Sequence, residues 1–267
     1  MVKLIRVMVS VFLIPTDRPF LEEKTMWGLD GRTVLVTGAS GGIGAATARQ
    51  LAAAGANVIA AGRSEQALSK LAAQINCRTL QFELSSEEEV QRAVEGLDLW
   101  GVVNCGGFGG EIATPMETDI AVFDRAIAIN TRGALLVTKY AAQSMIRLGQ
   151  GGAIVNVSSQ AALVALAGHI SYAASKAALD SITRVSALEL GRHGIRVNSV
   201  NPTVVMTEMS QFYWGRPEIG EPFLNAMPLH RWATEDEIAA PIVFLLGNGA
   251  SMISGVMLPI DGGFTSC

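Results

Sequence analysis

The chain has 267 residues, of which 49% are hydrophobic and 16% charged, with a formal net charge of −4. That length permits one large domain or two small ones around a substantial core, the acidic balance excludes a partner such as nucleic acid that selects a basic face, and no run reaches the ~18 apolar residues of a membrane-spanning helix. Cys77, Cys105 and Cys267 are too few and too scattered for a disulfide framework or a metal site, so a reducing, cytoplasmic setting without a bound metal is expected.

In residues 1–25, Lys3 and Arg6 precede an apolar stretch from Val7 to Ile14, with no small-residue cleavage site after it. These residues read as a loosely ordered extension, and residues 26–267 as a single domain. Short apolar runs then alternate with Ala-rich helical stretches. The runs are Val34–Val36, Val58–Ala60, Leu99–Val103, Ile154–Val157, Arg196–Val200 and Val256–Leu258, with Arg78–Phe82 a weaker candidate. Near-continuous apolar strands are expected where helices cover both faces of a sheet, and strand–helix alternation implies parallel pairing through right-handed crossovers. The fold class is therefore α/β, a doubly wound parallel sheet of Rossmann type. A helix is expected from Thr118 to Leu148, and shaped loops or short helices from Thr207 to Pro228, where Phe212, Tyr213, Trp214, Pro217 and Pro222 crowd together.

After the first run comes Thr37-Gly38-Ala39-Ser40-Gly41-Gly42-Ile43-Gly44, followed by a helical stretch. Strand, glycine turn and helix make a phosphate site, because the turn lets backbone approach a pyrophosphate while the helix N-terminus offers free N–H groups and a positive dipole end. Gly38 and Gly42 serve the turn and Gly44 the helix–strand packing. At the end of the second run stand Arg63 and Ser64, with no acid to hold a ribose 2′-hydroxyl. Arg63 pairs naturally with a 2′-phosphate, which favours NADP(H) over NAD(H). A solvated arginine is the alternative, and NAD(H) stays open.

Tyr172 and Lys176 are four residues apart in the helical run that ends near Leu190, so they share a helix face. A phenol titrates near 10, and a neighbouring ammonium lowers that value, so the pair can supply a proton to a developing alkoxide. The competing reading is a half-buried tyrosine with a snorkelling lysine. Ser159, Asn104 and Asn201 add polar groups at strand carboxyl ends, the edge where open α/β sheets bind ligands.

With these motifs the sequence resembles the short-chain dehydrogenase/reductase family over most of its length: the Thr37–Gly44 loop, the Asn104 segment, Asn130, Ser159, Tyr172 and Lys176, and Pro202. The resemblance implies that Ser159 holds the substrate oxygen, Tyr172 is the acid/base, Lys176 tunes the tyrosine and binds the nicotinamide ribose, and Asn130 supports a water relay. It also extends the cofactor set, which comprises Gly38, Ser40, Gly42, Ile43, Gly44, Arg63, Ser64, Glu83, Leu84, Asn104, Tyr172, Lys176, Pro202, Val205 and Thr207. The sequence is most similar to the L-xylulose/dicarbonyl reductase branch, which implies a small carbonyl or polyol substrate, a homotetramer, and a pocket drawn from Ser159, Gln160, His169, Asn201 and Trp214. His169 facing water is the alternative there. Three departures stand out: Asn104-Cys105-Gly106-Gly107 in the segment after the fourth run, Gly41 where NADP-linked members often carry a basic residue, and Glu83 where an aspartate is common. An NAD-linked sugar or alcohol dehydrogenase of the same family is the second reading, and a cofactor-binding regulator without catalysis the third. The mean hydropathy of +0.34 and the apolar run Ala240–Leu246 suggest buried subunit contacts.

Overall fold

The strand β1 (Thr33–Thr37) shows how sequence builds the two layers of core. Val34 and Val36 point to one face of the sheet and Leu35 to the other, all fully buried, as the two-residue period of a strand requires. On the first face, Val34 and Val36 join Leu51 of α1 (Gly42–Ala53) and Ile238, Ile242 and Leu246 farther along the chain. On the second, Leu35 joins Ile59 of β2 (Asn57–Gly62), Val102, Val137, Tyr140 and Met145. Each fully buried Leu or Ile contributes roughly 1.5–3 kcal/mol of transfer free energy.

The computed structural model describes residues 27–266, and the expected extension at 1–25 lies outside them. After β2 come α2 (Glu65–Ile75), β3 (Arg78–Gln81), α3 (Glu87–Val94), β4 (Gly101–Asn104), α4 (Ile120–Ala126), α5 (Ala134–Leu148) and β5 (Gly152–Val157). The remainder is α6 (Ile170–Leu190), β6 (Ile195–Pro202), α7 (Glu208–Trp214), α8 (Pro217–Ala226), α9 (Glu235–Leu246) and β7 (Met257–Ile260). The strands form one parallel sheet in the order β3-β2-β1-β4-β5-β6-β7. The order reverses direction between β1 and β4, the switch point at which doubly wound sheets open a crevice.

Every expected strand is present. The weak signal for β3 has a physical cause: it is an edge strand with Arg78, Thr79 and Gln81 exposed, so it lacks the apolar runs of β4 and β5, whose residues are all buried. The fourth strand begins at Gly101, two residues after the expected Leu99.

Two expectations need correction. The helix expected from Thr118 to Leu148 starts at Ile120, where Asp119 caps it through Ala121 N–H at 2.9 Å. Its middle is a π-helical stretch, Ile127–Gly133, that carries Asn130. The wider turn fits at Gly133, where a Cβ would come within 2.9 Å of Leu84, and π-turns recur at functional sites. The run Ala240–Leu246 belongs to this chain's own core. Ile242, Val243, Leu245 and Leu246 are buried, and α9 packs on α1 and the sheet. Its C-terminal carbonyls are capped by Arg196, which donates to Leu245 O at 2.6 Å and Leu246 O at 3.0 Å. An apolar helical run looks the same whether a neighbouring helix or a second subunit covers it.

Candidate active site

At the carboxyl end of β1 the chain turns through Gly38 (φ +67°) and Gly42 (φ +54°), backbone geometry that side chains rarely adopt. A Cβ on Gly38 would lie 2.6 Å from Gly106 N, and one on Gly44 would lie 2.2 Å from Gly38 O. The loop therefore closes only with hydrogen at those carbons. Helix α1 starts at Gly42, with no side chain capping its first turn. The loop thus fits a dinucleotide pyrophosphate: a backbone cradle at the head of a twelve-residue helix with free N–H groups. Ile43 packs on the core behind it, and Ser40 lies against Gly62 at the end of β2. Thr207 Cγ2 comes within 3.2 Å of where a Gly42 Cβ would be, so the start of α7 reaches over the loop.

Beside β2, Arg63 is two-thirds exposed and its guanidinium lies 3.8 Å from Glu83. Glu83 is thus held toward Arg63, and Gln81 donates to the Arg63 carbonyl at 2.7 Å. Ser64 caps α2, accepting from Ala67 N–H at 3.3 Å. Leu84 fills the gap between Gly106 and Gly133.

The residues expected to handle the proton gather where β5 meets α6. Tyr172 hydrogen-bonds to the Ser159 side chain, and Ser159 also accepts from Ala161 N–H at 3.1 Å. Lys176 is buried, sits 5.7 Å from the centre of the Tyr172 ring, and donates to Val157 O at 2.7 Å. Burial lowers its pKa to about 8, against the opposing pull of Cys105 and Asp180. Burial also raises the Tyr172 pKa above the ordinary phenol value, which the Ser159 hydrogen bond only partly offsets. This runs against the expected direction: desolvation dominates, and the ammonium, engaged by the Val157 carbonyl, is not among the groups that lower the phenol. The same burial drives the Cys105 thiol up to about 12, which leaves it uncharged.

Asn130 is buried, accepts from Phe108 N–H at 2.7 Å, and donates to Phe108 O and Ser175 Oγ, each at 2.9 Å. Its carbonyl oxygen and the Lys176 ammonium lie 3.5 and 3.7 Å from the point a Gly107 Cβ would occupy. Gly107 keeps the space between them open.

Two expected ligand-facing asparagines turn away from the crevice. Asn104 donates to Asn156 Oδ1 at 2.8 Å and to Thr138 Oγ1 at 3.1 Å, tying β4 to β5 and α5. Asn201, fully buried, donates to the Ser159 carbonyl at 3.0 Å and to Asp180 at 2.8 Å. It supports the Ser159 turn from behind and does not line the pocket. Pro202 ends β6 beside Ile260, and Val205 is buried just beyond it.

An aromatic wall joins the start of α6 to α7 and α8. His169, buried at the start of α6, lies 5.7 Å from Trp214 in a stacked arrangement and 5.6 Å edge-on from Tyr213. Its Nδ1 faces Ala167 O at 2.8 Å. A carbonyl can only accept, so Nδ1 carries the proton. Burial holds the ring pKa down, so the neutral ring keeps Nε2 as an acceptor. The stack continues from Trp214 to Phe223 at 4.7 Å and on to Phe264 at 4.7 Å, which anchors α7 and α8 to the C-terminal segment. Gln160 Oε1 is buried without a hydrogen-bond partner among the described residues. The sequence reading overlooked Tyr213, Phe223 and Phe264 as parts of this wall, although the aromatic cluster at 212–214 signalled it. It also overlooked Asp180, one turn beyond Lys176. Among the described residues no group of three or more His, Cys, Asp or Glu could hold a metal, and no helix is long and apolar enough to cross a membrane.

Comparison with known proteins agrees with this geometry. The family described as enoyl-(acyl carrier protein) reductase matches residues 38–265. An L-xylulose reductase from Caenorhabditis elegans is 42% identical over 242 residues, 88% of this chain and 96% of the relative. A D-threitol dehydrogenase from Mycolicibacterium smegmatis is 39% identical over 249 residues, 89% and 94% of the two chains. Among solved structures, a short-chain type dehydrogenase/reductase from Mycobacterium ulcerans superposes with a TM-score of 0.86 at 31% identity, covering 89% of this chain and 91% of its own. The glycine cradle, the seven-stranded sheet and these relatives together place the chain in the short-chain dehydrogenase/reductase family, as an NAD(P)(H)-dependent oxidoreductase acting on CH–OH groups.

Proposed function

We propose that this enzyme reduces small hydroxylated ketones and dicarbonyls, of the ketopentose class, with NADP(H). The observation that carries the reading is the convergence of Ser159, Tyr172 and Lys176 at the carboxyl end of β5, with His169, stacked on Trp214, at the head of the helix that carries Tyr172. A bound nicotinamide supplies the hydride. Ser159 and Tyr172 hold the substrate oxygen, and Tyr172 gives it the proton as charge develops. Lys176, kept cationic near neutrality, stabilises the phenolate left behind. Asn130 and the space beside Gly107 suit a water that returns a proton toward Lys176. Gln160 Oε1, unpaired among the described residues, and the His169 Nε2 acceptor favour a substrate that donates hydroxyl hydrogens. Its likeness to an L-xylulose reductase points the same way.

NADP(H) is favoured by Arg63 at the end of β2, with Ser64 able to add a hydroxyl donor. The second reading, an NAD(H)-linked polyol dehydrogenase, draws on the Glu83 carboxylate beside Arg63, which repels a phosphate, and on the similarity to a D-threitol dehydrogenase. A homotetramer in the cytoplasm completes the proposal. Exposed Leu135 on α5 and Val185 and Leu188 on α6 offer apolar faces to a second copy. Steady-state rates with NADPH and NADH against L-xylulose and diacetyl, and with NADP+ and NAD+ against threitol, test it. NADPH-dependent reduction of the first two is expected, whereas NAD-dependent threitol oxidation alone selects the second reading.

A further inference from the structure

Asp180 is a carboxylate only 3% exposed, and it forms no salt bridge among the described residues. Burying such a charge is costly unless the surroundings use it. Two neutral donors from β6 hold it, Ser199 Oγ at 2.9 Å on Oδ1 and Asn201 Nδ2 at 2.8 Å on Oδ2. Asn201 Nδ2 is shared with the Ser159 carbonyl at 3.0 Å. Lys176 lies one helical turn back on α6, the same face of the helix. One carboxylate thus touches the serine turn through Asn201 and acts on the lysine through space.

We propose that Asp180 is a positioning residue with two linked tasks: its charge keeps the Lys176 ammonium in place, and its hold on Asn201 fixes the main chain of Ser159. This inference rests on the roles given above to Ser159, Tyr172 and Lys176. The groups acting on Lys176 are Asp180 from its own helix, Cys105 from the loop after β4, the Tyr172 ring, and the Val157 carbonyl from β5. Cys105 is uncharged, its thiol pushed up to about 12, so Asp180 is the anion among them. Without it nothing charged opposes the desolvation of Lys176, and the ammonium is lost at lower pH.

Asp180→Asn separates the charge from the shape. The new amide oxygen accepts from Asn201, and its NH2 donates to Ser199, whose hydroxyl then turns to Asn201 Oδ1, already at 3.3 Å. The expected result in carbonyl reduction is an alkaline limb of kcat/KM moved down by half a pH unit or more, with kcat at pH 7.5 reduced several-fold. Asp180→Glu, which keeps the charge, is expected to leave the limb near its wild-type position. An unmoved limb and wild-type kcat in folded Asp180→Asn overturn the charge role. Asn201→Ser cuts the tether and leaves the carboxylate, so kcat should fall about tenfold with the limb unmoved; wild-type kcat there overturns the tether. Asn201→Ser also carries the test if Asp180→Asn does not fold. Tyr172→Phe, assayed in parallel, separates the two levels. If that variant still turns over, the catalytic reading itself fails. If it is inactive while Asp180→Asn and Asn201→Ser behave as wild type, only the Asp180 inference fails.

Discussion

The two ends of the crevice are built differently. Around β5, β6 and α6, Ser159, Lys176, Asp180 and Asn201 are buried, with Asn201 bonded to Ser159 and Asp180 and Lys176 bonded to Val157. Beside β2 and β3, Arg63 and Glu83 face solvent and meet only at 3.8 Å. In the first region a lost hydrogen bond leaves a partner unsatisfied in a low-dielectric surrounding, so changes are large and insensitive to salt. In the second, water and ions screen each charge, so changes are small and salt-dependent. Chemistry in this enzyme is therefore rigidly specified, and cofactor preference is adjustable.

Substitutions can break that contrast, from the largest effect to the smallest. Ser159→Ala removes the hydroxyl proposed to hold the substrate oxygen, and kcat should fall about 100- to 1,000-fold, the loss typical of one oxyanion-type donor; steady-state rates across 0.05–0.5 M salt, on the order of the Debye range, should show the same ratio throughout. Trp214→Ala opens the stack between His169 and Phe223. It should raise KM for the sugar about tenfold, as loss of roughly 1.4 kcal/mol of binding gives, with a smaller change in kcat. Unchanged KM would remove Trp214 from the pocket. Arg63→Ala should weaken NADPH about tenfold and spare NADH, a loss of one charge-assisted contact, measured by fluorescence titration. Glu83→Gln should shift the NADPH/NADH ratio toward NADPH by only about two- to fivefold, with the shift shrinking as salt rises. A Glu83→Gln effect as large as that of Ser159→Ala would contradict the contrast between the two ends.

The pH dependence belongs to the buried end. Lys176 has its pKa depressed to about 8, so its ammonium is present below that pH and lost above it. Carbonyl reduction should hold level from pH 6.5 to 7.5, roughly the window in which a group of that pKa stays protonated, and decline above about 8. Rates that rise steadily through pH 9 would assign the limb to another group.

Much of this was readable from the residues, and the reasons differ by element. Strands β1, β4 and β5 announced themselves because helices cover both faces and each carries a short apolar run. The glycine loop was readable because only glycine fits Gly38 and Gly44. The spacing of Tyr172 and Lys176 fixed their shared face. The direction of the asparagines was not readable. Asn104 ends its strand and Asn201 stands one residue before the end of its own, where a shift of one residue exchanges crevice for interior, and both face their neighbours. The π-turn at 127–133 was hidden because its residues suit an ordinary helix. The burial of Ile242, Val243, Leu245 and Leu246 within one chain was hidden because periodicity does not say whose surface covers an apolar helix.

The most direct test is Tyr172→Phe, assayed for NADPH-dependent reduction and, in the same preparation, for NADPH affinity. The account predicts a loss of kcat of about 100- to 10,000-fold, the contribution of a positioned general acid, with the dissociation constant for NADPH changed by less than about threefold. A variant that keeps wild-type kcat would contradict it and send the search for the proton donor elsewhere in the crevice.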